Sequence, residues 1–252
     1  MKHFVRILSL ALAMLALCAC GAGDVEDTTV APTTTAAPTE TQNIYPEPDK
    51  IIALTFDDGP NSHMEAMLDI FAEYDGKATF FLIGKKVDAS TSAIIKRAFD
   101  EGHEIANHSQ SHTDLTQMTA DEVAADVETL QAAVEEITGQ RPVWFRAPFL
   151  RANDIMYSVI DMPFAGCSVS AGDGSNDNLA EDRHYRVVSG ASDGGIVLLH
   201  CTDITAEVLP QILHDLKMQG YEFVTISELF ARKGVTPDTE ATFQYKETST
   251  TN

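Results

Sequence analysis

Between Ile51 and Arg232 short apolar runs alternate with longer amphipathic ones, the pattern of an α/β domain built on a mostly parallel sheet. The short runs predict strands over Ile51–Phe56, Ala78–Ile83, His103–Asn107, Val143–Arg146, Phe164–Val169, Ile196–His200 and Glu222–Thr225. Seven such strands suit an irregular (β/α) barrel as well as an open sheet, and periodicity alone does not choose between them. The strongest helix is predicted over Thr119–Thr138, because Val123, Val127, Leu130, Val134 and Ile137 recur on one face. Thr119 and Glu122 have capping-box spacing at its start, and Gly139 supplies its stop. A second helix is predicted over Val208–Met218, with Pro210 in its first turn and Gly220 beyond its end. Several predicted strands end in polar residues, which is where parallel α/β folds gather reactive groups.

The two ends lack this alternation. In residues 1–19, Lys2, His3 and Arg6 precede an apolar run from Ile7 to Leu17, the layout of a secretory signal and too short to span a bilayer. Leu17-Cys18-Ala19-Cys20-Gly21 resembles a bacterial lipobox and predicts cleavage before Cys20, which would then carry diacylglycerol. The competing frame ending at Cys18 puts bulky Leu17 where small Ala19 fits better. The expectation is therefore an extracytoplasmic protein held at the membrane by lipid. Residues 20–49 are rich in Thr and Pro and poor in large apolar side chains, so they read as a flexible tether. Residues 50–234 hold the predicted domain, and 235–252 form a polar tail expected to fray, although Phe243 and Tyr245 offer apolar contact. Only Cys167 and Cys201 fall inside the domain, which is no disulfide framework, and free thiols are expected.

Charge narrows the partners. Asp and Glu number 38 against 17 Lys and Arg, a formal net charge of −21, so attraction to nucleic-acid phosphates is excluded. Hydrophobic residues at 44% are sufficient for a packed core, and a monomer is expected. Asp121, Glu122, Asp126, Glu128, Glu135 and Glu136 read as the solvated face of the long helix.

Four places carry candidate chemistry. Thr55-Phe56-Asp57-Asp58-Gly59-Pro60 runs an apolar strand into adjacent carboxylates, which repel unless a cation or a raised pKa holds them; Asp-Gly-Pro is also ordinary turn chemistry. His108 and His112 stand four apart, and a single helical turn would present both imidazoles to one ion. Such pairs are also frequent on plain surfaces. Two histidines with Asp58 would leave open positions on a zinc-type centre. Arg146-Ala147-Pro148-Phe149 ends a strand with a guanidinium able to keep a carboxylate ionised, and the apolar run through Leu198 and Leu199 ends in His200. Read singly, these are a surface arginine and a core histidine.

Taken in this order, with Gly102-His103-Glu104-Ile105 and Gly220-Tyr221-Glu222-Phe223 as flanks, the four clusters closely resemble the NodB-homology polysaccharide deacetylases of carbohydrate esterase family 4 over roughly Lys50 to Arg232. The resemblance implies a distorted (β/α) barrel of about seven parallel strands. It implies one divalent metal, most often Zn2+, held by Asp58, His108 and His112. It further implies that Asp57 deprotonates the attacking water, Arg146 steadies Asp57, the Phe149 N–H receives the oxyanion and Leu198 lines the acetyl pocket. His200, oriented by Asp173, would protonate the departing amine. The implied substrate is an acetylated polysaccharide, with peptidoglycan N-acetylglucosamine favoured because a lipid anchor keeps the enzyme beside the wall, and chitooligosaccharide or acetylxylan next. A silent carbohydrate-binding descendant is the contrasting reading. The family's fourth motif departs here, with Ser170 for an aspartate and Gly174 for a tryptophan, and the third has Ala147 and Leu150 in place of a proline and a glycine. His63, His103, His184 and His214 are expected to be structural or solvated, and Trp144 to pack.

Overall fold

Ten residues, Lys50–Gly59, form β1, the spine of the molecule. The structure is a computed structural model and describes residues 44–174, 179–237 and 242–243. The signal, Cys20, most of the tether and most of the tail lie outside the described residues. Strand alternation sorts β1 onto two faces. Ile52, Leu54 and Phe56 enter the larger apolar core, with Phe71, Phe80, Leu199 and Leu209. Ile51 and Ala53 enter a second core with Phe81, Ala106, Trp144 and Ile196.

Neighbouring strands attach to both edges of β1, always parallel. β6 (Gly195–His200) runs along one edge, from Ile52 opposite Gly195 to Asp57 opposite His200. The other edge is shared by β7 (Tyr221–Phe223), opposite Lys50–Ile52, and β2 (Thr79–Leu82), opposite Thr55–Gly59. Successive carbonyls prove the sidedness, since Ile51 accepts from Gly194 and Ile52 from Val224. β3 (Glu104–Asn107) extends the sheet beyond β2, and β5 (Val169–Ser170) extends it beyond β6. Beyond β3, Phe145 bridges Asn107 to Phe164 in β4 (Phe164–Ala165). Within the stretch expected to fray, Thr242–Phe243 forms β8 on the far side of β4. The sheet curls, because the Arg146 side chain reaches back across the interior from Ala165 to Thr55 and Asp57.

Two predicted strands depart most from their apolar runs. Val143–Arg146 keeps only the Phe145 bridges, lying between Pro142, which has no N–H, and the turn at Pro148. Phe164–Val169 breaks after Ala165, where Arg146 takes the carbonyls of Ala165 and Gly166 at 3.1 and 3.0 Å.

The helices are α1 (Ser62–Glu73), α2 (Ser92–Asp100), α3 (Ala120–Thr138), α4 (Asp154–Val159), α5 (Ala180–Gly190), α6 (Asp203–Met218) and α7 (Ile226–Lys233). α3 is as predicted, with both capping-box bonds between Thr119 and Glu122 and Gly139 left-handed at φ 78°. α6 starts before Val208, because the Thr202 hydroxyl caps the N–H of Thr205, and Pro210 falls inside the helix rather than in its first turn. The Pro210 carbonyl is used by the Tyr74 hydroxyl at 3.0 Å. Cys167 and Cys201 are unbridged, as expected.

His103 illustrates a histidine whose work is structural. Its Nδ1 accepts the Ala78 N–H at 3.1 Å, and its ring meets Phe71 and Phe80 edge-on. Burial, with Lys77 and Arg97 nearby, pushes its pKa down to about 4 from an ordinary 6.5. The folded state therefore binds fewer protons than the unfolded chain between those values, so this contribution is complete above 6.5 and is lost as pH falls through 4. The expected loss at pH 4 relative to pH 7 is about 3 kcal/mol. Denaturant unfolding of the wild-type chain and His103→Asn, which keeps an acceptor but cannot titrate, measures it. An equal acid loss in both chains would sink the assignment.

Candidate metal centre and catalytic site

Strand alternation continues the inner row of β1 from Ile51 and Ala53 to Thr55 and Asp57, so a regular strand would turn Asp58 to the other face. It does not stay regular. Asp57 faces Phe81 and Gly59 faces Leu82, two steps against one, and Asp58 sits in the bulge at φ 68°. That left-handed conformation, which aspartate tolerates better than most residues, re-aims the second carboxylate toward the same pocket as the first.

His108 and His112 follow the end of β3. They are not on a helical turn, as their spacing had implied, but on a loop with Ser109 at φ 68° and His112 at φ 51°. Side chains capture the N–H groups that a helix would send to its own carbonyls. Asn107 Oδ1 accepts from Ser109, Ser109 Oγ accepts from His112, and the Asp126 carboxylate accepts from Gln110 and Ser111. The imidazoles still meet, with ring centroids 5.0 Å apart.

These residues fit a divalent cation. One ligand atom each from Asp58, His108 and His112 lies within 4.8 Å of the others. His108 Nδ1 is 2.7 Å from the Arg146 carbonyl, so it carries the proton and Nε2 presents a lone pair inward. Burial lowers the pKa of that ring, against the pull of Asp57. Burial raises the Asp58 pKa, but the His112 contact and the charges of His108, His112 and His200 outweigh it and bring it to about 2. Asp58 Oδ1 is nonetheless a buried oxygen without a well-formed hydrogen bond among the described residues, 3.2 Å from His112 Nε2 and 3.7 Å from His108 Nε2. A carboxylate and two imidazoles that converge, with one carboxylate oxygen unused, form a zinc-type donor set with open positions.

Asp57 is only 3% exposed and is paired with Arg146, which is fully buried. Nη1 of Arg146 donates to Asp57 Oδ1 at 2.7 Å and to Thr55 Oγ1 at 2.8 Å, while Nε and Nη2 take the carbonyls of Ala165 and Gly166. The guanidinium also lies 4.0 Å from the centre of the Phe81 ring. Every arm of the fork is held, so Asp57 keeps one position and presents Oδ2, 3.8 Å from His108 Nε2, to the pocket.

Across the β1–β6 pairing, His200 Nδ1–H donates to Asp173 Oδ1 at 2.8 Å, which leaves Nε2 for the pocket. Burial pulls this imidazole down, but the hydrogen bond to Asp173 and the charges of Asp57, Asp173 and Asp58 win and raise its pKa. Asp57, Asp58, His108, His112 and His200 all line one cavity of about 300 Å³, together with Ala147, Phe149, Leu150, Ser170, Gly174 and Leu198. Gly174 leaves the imidazole open, since a Cβ there would stand 3.2 Å from His200 Cε1. Phe149 and Leu150 are both left-handed, at φ 59° and 54°, and Phe149 rests edge-on against His112.

Sequence reasoning missed Thr55, Phe81, Ser109 and Asp126 as supports of the site. Only Thr55 carried a signal, two residues before Asp57 on the same face. His63, His103, His184 and His214 lie outside this cavity, with His184 on Asp215 and His214 on Tyr45. Trp144 packs on Phe230 and donates to Ser227 Oγ.

Residues 45–162 match the polysaccharide deacetylase family. The bifunctional xylanase/deacetylase of Pseudobutyrivibrio xylanivorans is 42% identical over 205 residues, covering 80% of this chain and 33% of that protein. A peptidoglycan-N-acetylglucosamine deacetylase of Bacillus cereus is 34% identical over 200 residues, covering 75% of this chain and 92% of that one. The chain thus spans only about a third of the first relative and nearly all of the second. Among solved structures, a family 4 acetyl xylan esterase from Clostridium thermocellum in complex with a cobalt ion aligns with a TM-score of 0.74 and 38% identity, over 79% of this chain and 100% of that one. The parallel sheet curled around Arg146 is the distorted barrel of these proteins, and the chain belongs to the polysaccharide deacetylase family, the NodB-homology group of carbohydrate esterase family 4.

Proposed function

We propose that this chain is a metal-dependent hydrolase that removes N-acetyl groups from a cell-wall or environmental polysaccharide, with peptidoglycan N-acetylglucosamine as its preferred substrate. One observation carries the reading: an arginine-locked carboxylate, an aspartate-locked imidazole and a three-residue cation site share a single cavity. Asp57 accepts a proton from the attacking water, and Arg146 holds that carboxylate in place. The Phe149 N–H donates to the carbonyl oxygen as it gains charge, and Leu198 contacts the acetyl methyl. His200 gives a proton to the sugar nitrogen as the C–N bond breaks, yielding acetate and a glucosamine unit, and the proton taken up by Asp57 passes back to His200 so that both groups are restored. A divalent cation on Asp58, His108 and His112, zinc in this reading, supplies Lewis-acid polarisation when bound.

The raised pKa of His200 favours an amide substrate, because a departing amine needs a proton more than a departing alcohol does. Acetylxylan is the second reading, supported by the xylanase/deacetylase and acetyl xylan esterase likenesses. Export and anchoring through a lipid on Cys20 rest on Lys2, Arg6 and the apolar run before Ala19, and action as a monomer completes the proposal. Acetate release from peptidoglycan, N-acetylglucosamine oligomers and acetylxylan, measured with zinc and with a chelator, tests the function. The expected result is release that the chelator abolishes and that ranks peptidoglycan first. Silence on every substrate with cation still bound would leave a carbohydrate-binding protein instead.

A further inference from the structure

His200 is oriented by more than Asp173, and the hydrogen-bond directions behind it can be fixed by counting protons. Asp173 is 2% exposed, and its Oδ2 accepts both the His200 backbone N–H and the Thr205 hydroxyl at 2.8 Å. Only Oδ1 is left for the imidazole. Thr205 Oγ1 in turn accepts from Arg183 Nη1 at 3.1 Å and from the Thr202 hydroxyl at 2.8 Å. With both acceptor positions used, its single proton must point at Asp173. Thr202 Oγ1 is filled in the same way, accepting from Arg183 Nη1 at 3.0 Å and from the Thr205 N–H at 3.2 Å.

Arg183 is fully buried, and among the described residues it meets these two hydroxyls through Nη1, while Nε and Nη2 have no hydrogen-bond partner. A buried guanidinium with so little direct pairing is costly, and among the described residues it is bridged to the buried Asp173 carboxylate by the Thr205 hydroxyl. The same Thr202 hydroxyl caps α6, so the relay is built into the helix start and tied to α5, which carries Arg183.

We propose that Arg183 and Thr205 are positioning residues of the reaction, with the Thr205 hydroxyl handing the orientation of a buried guanidinium to Asp173 and so fixing the ring angle and tautomer of His200. This rests on the deacetylase reading above, in which His200 protonates the leaving nitrogen.

The test compares Thr205→Val, which keeps the volume and removes the hydroxyl, with Thr205→Ser, which keeps the hydroxyl, in the intact zinc-loaded chain on N-acetylglucosamine oligomers. Thr205→Val is expected to lower kcat about tenfold or more with KM unchanged, and Thr205→Ser to return most of it. A proton NMR signal of the His200 Nδ1–H, assigned by its absence in His200→Gln, is expected to move upfield in Thr205→Val and to stay in place in Thr205→Ser. Wild-type kcat in Thr205→Val, or a loss that serine does not restore, overturns the proposal. So does an unmoved Nδ1–H signal, whether or not any glycan is turned over. A signal that moves in a chain releasing no acetate supports the relay and counts against the deacetylase reading alone.

Discussion

Asp57→Asn is expected to lower acetate release by about two to four orders of magnitude while the chain still binds its cation. The substitution keeps the shape of the side chain and an oxygen for Arg146, but removes the group able to take a proton from water. Cation affinity should persist, because Asp58, His108 and His112 supply the donor set and Asp57 belongs to the arginine instead. The outcome is therefore a separation: turnover lost, metal content kept by calorimetry or elemental analysis, and a cooperative unfolding transition still present. Release within tenfold of wild type would show that another group is the base. Loss of the cation together with turnover would mean that the two adjacent carboxylates act as one ligand pair, and the division of labour drawn from the bulge at Asp58 would fail.

That division was only half legible in the chain. The apolar alternation through Ile51, Ala53 and Thr55 places Asp57 inside the barrel, and β1 follows it. Nothing in Asp57-Asp58-Gly59 announces a bulge, because the extra residue is set by how β2 pairs, a contact remote in sequence. The spacing of His108 and His112 pointed to the right partners for the wrong local reason. Helical geometry would bring them together, but side-chain acceptors on Asn107, Ser109 and Asp126 build a loop that does so instead. α3 was readable from its own caps and stripe, since both are local. The start of α6 was not, because Pro210 looked like a first-turn residue while the actual cap, Thr202, is also engaged by Arg183. Local rules carried the elements, and long-range hydrogen bonds decided where they stop.

Arg146→Met should then be the most damaging single change to stability, costing about 3–5 kcal/mol, since it strands a buried Asp57 carboxylate. It also releases the carbonyls of Ala165 and Gly166, both now held by the same guanidinium, whereas the Thr55 hydroxyl keeps its bond to the Val197 carbonyl. Arg146→Lys should lie between, because one ammonium keeps the charge but cannot match a planar fork that reaches Asp57 on one side and two carbonyls on the other. The decisive variant is the double change Arg146→Met with Asp57→Asn. If the cost comes from an unpaired buried charge, removing that charge should restore about 1–3 kcal/mol of the loss, measured by denaturant unfolding as a non-additive cycle. Acetate release should stay absent in the double variant, so stability returns without function. Strict additivity would instead trace the loss to the freed carbonyls. The expected non-additivity has a functional meaning: a buried ion pair is a poor device for stability alone, and this one holds the Asp57 carboxylate in one position beside the cation site.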